Sequence, residues 1–153
     1  MMNRRAIVFA VLTAALLCFI WGQSLAPIGA SDAESRGVLR WLQPLIDPQG
    51  RIDEESFHHF VRKAAHFSEF AALGFCMCGW FLNLQWKKPN HRVPAALGAC
   101  VLAACMDEGI QCFNPGRGPK LTDVLLDSCG ALFGIAVVLT LLFIINKCRK
   151  AAV

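Results

Sequence analysis

Apolar positions fall into four long runs, at 6–26, 70–86, 94–106 and 124–145, and the short segments between them carry most of the charge. A helix on a soluble core would interrupt such runs with a polar face every three or four residues. Between Ala6 and Ala26 only Gln23 and Ser24 are strongly polar. At 1.5 Å per residue, about 20 residues cross a hydrocarbon core of roughly 30 Å. The third run is too short alone, so it spans only by continuing through Asp107, Glu108 and Gln111 to about Phe113. The pattern predicts an all-α polytopic membrane protein, a four-transmembrane-helix bundle with spans at 6–26, 64–86, 94–113 and 122–146. Residues 1–153 read as a single membrane domain. A signal peptide is the other reading of the first run, since Arg4 and Arg5 precede it and Ser24-Leu25-Ala26 resembles a cleavage site. Its apolar stretch of about 17 residues is longer than the usual signal core of roughly 7 to 15, which favours a retained span.

The connection from 27 to 62 is the one sizeable segment outside the runs, and it contains two amphipathic stretches. Ser31-Asp32-Ala33-Glu34 reads as a capping box. Val38, Trp41, Leu42 and Leu45 then share one helical face until Pro44 interferes. After the turn Asp47-Pro48-Gln49-Gly50, a second helix from about Asp53 places Phe57, Phe60 and Val61 together and runs on into the second span. Short helices of this kind settle at the membrane interface. As a tether between spans or as a lid over a ligand, the segment has the same pattern.

Composition sharpens the class. Hydrophobic residues make up 56% and charged residues 17% of the chain, against about 25% charged in a soluble domain. Disorder and a secreted disulfide scaffold are excluded. Of the eight cysteines, Cys18, Cys76, Cys78, Cys100, Cys105, Cys129 and Cys148 lie in or beside spans without metal-ligand spacing, so small apolar packing explains them. A Cys112–Cys129 bridge is the alternative near the span ends.

Charge orients the bundle, because basic residues flanking spans stay in the cytoplasm. With the N-terminus inside, the inner segments hold Arg4 and Arg5, then Lys87, Lys88 and Arg92, then Lys147, Arg149 and Lys150, with no acid among them. All eleven Asp and Glu residues fall toward the other side. The expected location is the plasma membrane, with both termini cytoplasmic. The basic clusters are juxtamembrane, so the bilayer is the partner and nucleic acid is not. A homo-oligomer is compatible with so few spans.

Counting inward places the polar residues at one depth. Glu69 comes about 25 Å up its span, Asp107 and Glu108 about 20 Å, Asp127 about 29 Å and Gln23 about 26 Å. Arg62, His66 and Glu69 stand at i, i+4 and i+7, and Asp107 and Glu108 each share a sector with Gln111. Asp123, Asp127, Gly130 and Gly134 form one line, whose GxxxG allows close helix contact below the carboxylates. A charge facing lipid at mid-membrane costs at least ~2.5–3.5 kcal/mol, so these stripes should face inward. The result is an outward-opening pocket lined by Arg62, Lys63, His66, Glu69, Asp107, Glu108, Gln111, Arg117, Asp123 and Asp127. One or two ion pairs, such as Arg62 with Glu69 or Arg117 with Asp123, would suffice to set helix register; ten polar residues exceed that need.

These residues carry a resemblance. Arg62-Lys63-Ala64-Ala65-His66-Phe67-Ser68-Glu69-Phe70, Asp107-Glu108-Gly109-Ile110-Gln111 with Pro115-Gly116-Arg117, and Asp123-Val124-Leu125-Leu126-Asp127 with Gly130 and Gly134 are similar to the VanZ-like family of integral membrane proteins, as is the Gln23-Ser24 pair closing the first span. The motifs occur in all four spans and in the family's order. Two departures stand out: Ile110 where relatives often carry His, and Phe70 where they carry Tyr. The resemblance implies a membrane fold and a cell-envelope role, and the family's namesake is linked to low-level resistance to teicoplanin, a glycopeptide antibiotic.

Two classes of mechanism fit. As an enzyme on a lipid-linked or anionic envelope substrate, the chain would hold a phosphate or carboxylate with Arg62, Lys63 and Arg117, aided by Gln111, Asp123 and Asp127. His66 and Glu69 would then be an acid/base pair, with Asp107 or Glu108 as a second carboxylate. As a non-catalytic accessory protein it would bind a head group or a partner's span in the same pocket; a small transporter is a weaker third. The HxxE spacing at 66 and 69 would also suit a metal together with Glu108 and Asp127, but no second histidine joins it, so the expectation is no metal and no cofactor.

Overall fold

The computed structural model describes residues 3–26, 28–47, 49, 51–85, 89–113 and 118–151, with side chains described throughout except at 28–35 and 39. Helix α1 runs over Arg4–Leu25, α2 over Ile28–Ile46, α3 over Glu54–Leu82, α4 over Arg92–Gln111 and α5 over Leu121–Ala151, with a 3-10 turn at Pro89–His91 before α4. The described residues contain no strand. Four of these helices, α1, α3, α4 with its leading turn, and α5, are long and apolar enough to cross a membrane, as the hydropathy pattern predicts.

Local chemistry sets the ends. The Asn3 side chain accepts from the Ala6 N–H at 2.7 Å and starts α1. Asp53 accepts from the Ser56 N–H at 3.0 Å and starts α3, and that bond holds its carboxyl below the ordinary carboxylate range. No Gly or Pro stands between Glu54 and Leu73, so α3 passes from its amphipathic first turns into the span without a break. It ends at Leu82, where the Asn83 side chain folds back to the Gly79 carbonyl at 2.8 Å. This end is earlier than the expected 86, and Trp86 lies outside the described residues. Arg92 donates to the Leu82 carbonyl at 3.2 Å and closes the α3–α4 hairpin. Pro94 falls in the first turn of α4, where its missing N–H costs no helical bond.

In the connecting segment α2 begins at Ile28, ahead of the expected capping box, and continues through Pro44 to Ile46; the side chains of that box lie outside those described. Leu42 packs against Phe57 and Val61 of α3, whereas Val38, Trp41 and Leu45, assigned to the same face by spacing, stay exposed. Asp47 accepts from the Ile52 N–H at 2.8 Å and closes the turn.

Helix α3 lies at the centre, in contact with all four other helices and most extensively with α5. Its Phe70, Leu73, Met77 and Cys78 form the core with Ile20, Cys100, Ala104 and Ile135. The α3–α5 contact is made by backbone. A methyl group at Gly130 would strike the Phe67 carbonyl, one at Gly134 the Ala71 carbonyl, and one at Gly74 the Ala131 carbonyl. Missing side chains let two helices approach this closely, which in lipid substitutes packing and interhelical polar contact for the hydrophobic effect. The large apolar side chains of α5 from Leu139 to Ile145 remain exposed, as a surface meeting hydrocarbon would. All eight cysteines are free thiols, Cys112 and Cys129 included.

Candidate functional site

The last turn of α1, the first half of α3, the last turns of α4 and the first turns of α5 meet at one end of the bundle. Their polar residues converge there. Asp107, Asp127 and Ser24 are at most 1% exposed, and Glu108 and Gln111 are also buried. Lys63, His66, Glu69 and Asp123 are half-buried around them.

Asp107 is the best-held of the group. The Ser24 hydroxyl donates to its Oδ1 at 2.6 Å, and the Gln111 amide donates to its Oδ2 at 3.0 Å and to Ser24 Oγ at 3.3 Å. The Asp107–Gln111 contact is the i, i+4 pair that the spacing predicts; Ser24 brings the bond across from α1. The Trp21 indole adds a second α1–α4 contact at 3.4 Å from the Ala103 carbonyl. Glu108, one residue on, points elsewhere: its Oε2 accepts from the Lys120 N–H at 2.8 Å. Its negative charge therefore sits at the start of α5, where the unpaired N–H groups and the helix dipole favour an anion.

On the other side of Asp107, α3 and α5 contribute His66 and Asp127. Donor atoms of His66, Asp107 and Asp127 lie within 4.8 Å of one another. Asp127 Oδ1 and His66 Nδ1 are buried without a hydrogen-bond partner among the described residues; Glu69 Oε2 stands 4.0 Å from His66 Nδ1. The glycine seam makes this convergence sterically available, because Gly130 follows Asp127 by three residues and Phe67 follows His66 by one.

Toward the end of the bundle the cluster is bordered by cations. Lys63 forms an ion pair with Asp123, so Asp123 has a partner other than the Arg117 expected from sequence. A cleft of about 320 Å³ between α3 and α5 is lined by His59, Lys63, Lys120, Thr122, Asp123 and Leu126. A neighbouring one of about 490 Å³ is lined by Arg36, Glu54, Glu55, His58, His59 and Arg62. Nine of the ten expected site residues thus lie at this end of the bundle; Arg117 lies outside the described residues. Ser24 joins the cluster although the sequence pointed only to the Gln23-Ser24 pair, and Arg36, Lys120 and His59, the last read from sequence as an interfacial loop residue, line the clefts without being among the expected site residues. Ser24 had a signal, as a polar residue at the depth of the other clusters. Arg36 and Lys120 had none, since each is a single cation in a connection.

A family model described as VanZ/LLP1 matches residues 9–144. The chain belongs to the VanZ/LLP1 family. No curated protein and no solved structure matches it. The VanZ/LLP1 match opens within α1 and closes within α5, so it takes in all four long helices and the whole polar cluster. Its membership agrees with the motifs at 62–70, 107–111 and 123–127, which the fold brings to one end of the bundle.

Proposed function

We propose that this VanZ/LLP1 protein sits in the plasma membrane with both termini cytoplasmic and binds an anionic, lipid-linked component of the cell envelope at its outward-facing polar end. The observation that carries this reading is the pair of clefts at this end of the bundle, where Arg36 and Arg62 stand beside Glu54 and Glu55 in one, and Lys63 and Lys120 beside Asp123 in the other. A phosphate or carboxylate head group would be held by Arg62 and Lys63, with Arg117 as a further cation by family motif. Gln111, Asp123 and Asp127 would shape the floor. Where binding leads to chemistry, His66 and Glu69 are the acid/base pair, with Asp107 held in place by Ser24 and Gln111 and with Glu108 as the more remote carboxylate. An accessory role in glycopeptide resistance would use the same binding step without proton transfer.

The test compares a polyprenyl phosphate with its uncharged alcohol, each titrated into purified protein in nanodiscs and read by tryptophan fluorescence. The phosphate should bind and the alcohol should not. A charge-assisted hydrogen bond contributes about 1.5–3 kcal/mol, so Arg62→Gln with Lys63→Gln should weaken binding at least about tenfold. Equal binding of phosphate and alcohol, or a variant that binds like the native chain, would sink the reading. Orientation is tested separately by single cysteines at Ser56 and Asn90 in intact cells: an impermeant thiol reagent should reach the first and not the second.

A further inference from the structure

The three donor groups at the floor of the cluster have a chemistry of their own. Two carboxylates, 0% and 1% exposed, and an imidazole each offer a ligand atom within 4.8 Å of the others. Neither Asp127 Oδ1 nor His66 Nδ1 has a hydrogen-bond partner among the described residues. A buried unsatisfied carboxylate oxygen beside a second carboxylate is unfavourable twice over, by desolvation and by like charge. A divalent cation removes both costs, since two carboxylates and a 2+ ion sum to zero formal charge in a low-dielectric interior.

We propose that His66, Asp107 and Asp127 form a binding site for one divalent cation of the zinc class. Donors bound at about 2.1 Å in tetrahedral array lie about 3.4 Å apart, and the three groups, now within 4.8 Å of one another, would close to that distance around the ion. Asp107 already has the surroundings of a metal ligand, because Ser24 and Gln111 fix its carboxylate plane by hydrogen bonds from outside the triad. One imidazole nitrogen with two carboxylates suits zinc or its neighbours better than magnesium or calcium, which take oxygen ligands. The ligand set differs from the His66, Glu69, Glu108 and Asp127 set that the HxxE spacing suggested: Glu108 is engaged by the Lys120 N–H, Glu69 is outside the triad, and Asp107 joins it. Three protein ligands leave a fourth position for water or a ligand oxygen. The site stands independently of the anionic ligand proposed above; with the ion bound His66 is a ligand and no longer a proton carrier, so the His66–Glu69 acid/base pairing belongs to the metal-free site.

Cobalt(II) is the probe, because several cysteines are exposed and a thiolate ligand would show itself by ultraviolet charge-transfer absorption. Chelator-treated full-length protein in detergent should bind one Co2+ with visible ligand-field bands and no thiolate band. Asp127→Asn and His66→Gln should each weaken that binding at least tenfold, while Cys112→Ser leaves it unchanged. No stoichiometric binding, a thiolate band at one equivalent, or native affinity in either variant would overturn the site. Should those variants not yield folded protein, the His58→Gln/His59→Gln/His91→Gln triple variant decides: its Co2+ spectrum must match the native one, and loss of the signal assigns the ion to the histidines outside the triad instead.

Discussion

Two stretches of the same pair of helices solve different problems. Along α3 and α5, the upper turns carry Lys63, His66, Asp123 and Asp127, and the turns below carry Ala71, Gly74, Gly130 and Gly134. The lower stretch works by having almost no side chains, so that one helix rests on the carbonyls of the other. The upper stretch works by polar side chains: Lys63 pairs with Asp123, and His66 and Asp127 stand beside Asp107 of α4. The lower contact fixes the spacing of the helix axes, and the upper cluster depends on that spacing. A seam of this kind tolerates no added volume, whereas the cluster tolerates any change that preserves its donors and acceptors.

The largest effect is expected from Gly134→Val. Its side chain would meet the Ala71 carbonyl, a backbone group that cannot swing away, so the cost should reach or exceed the top of the usual overpacking range of about 1–3 kcal/mol. Thermal unfolding in detergent and the gel-filtration profile measure it; a variant as stable as the native chain would mean that α3 and α5 do not touch there. Next comes Ser24→Ala, which strips Asp107 of one buried donor and should cost about 1–3 kcal/mol while leaving the seam intact. Its distinguishing readout is Co2+ affinity, which should fall with Ser24→Ala through Asp107 even where folding is normal. Gly98→Ala is the smallest and opposite in sign. Gly98 also lies inside a spanning helix, but nothing stands within 4 Å of the position its Cβ would take, so the variant should gain roughly 0.5–1 kcal/mol from helix propensity. A loss there, seen in the same unfolding assay, would show that glycine in this bundle has a packing role beyond the α3–α5 seam.

The site was legible in proportion to how far each residue's role depends on its own helix. Asp107 and Gln111 stand four apart on α4, and their hydrogen bond follows from that spacing. The line from Asp123 to Gly134 likewise announced a face of α5 on which carboxylates stand above small residues. Glu108 shows the opposite case. It is adjacent to Asp107 and equally buried in pattern, yet it reaches the start of α5 instead of the triad, because a step of one residue turns a side chain about 100° around the helix. Asp123, for which the sequence offered Arg117, pairs with Lys63 across α3 and α5. The apolar face assigned to α2 divided for the same reason: Leu42 found Phe57 and Val61, and Trp41 did not.

The four long apolar helices, the turns at which each becomes polar and the end of the bundle where those turns collect were all readable from the order of residues. These follow from the length and local composition of each helix, and hydrocarbon penalises polarity strongly enough for a count of residues to locate it. That His66, Asp107 and Asp127 come together while Glu108 does not, and that Ser24 donates to the buried Asp107, are tertiary outcomes. Those outcomes depend on the rotation and separation of neighbouring helices. Here that separation is set by backbone contacts at three glycines, whose partners lie on another helix about 60 residues away.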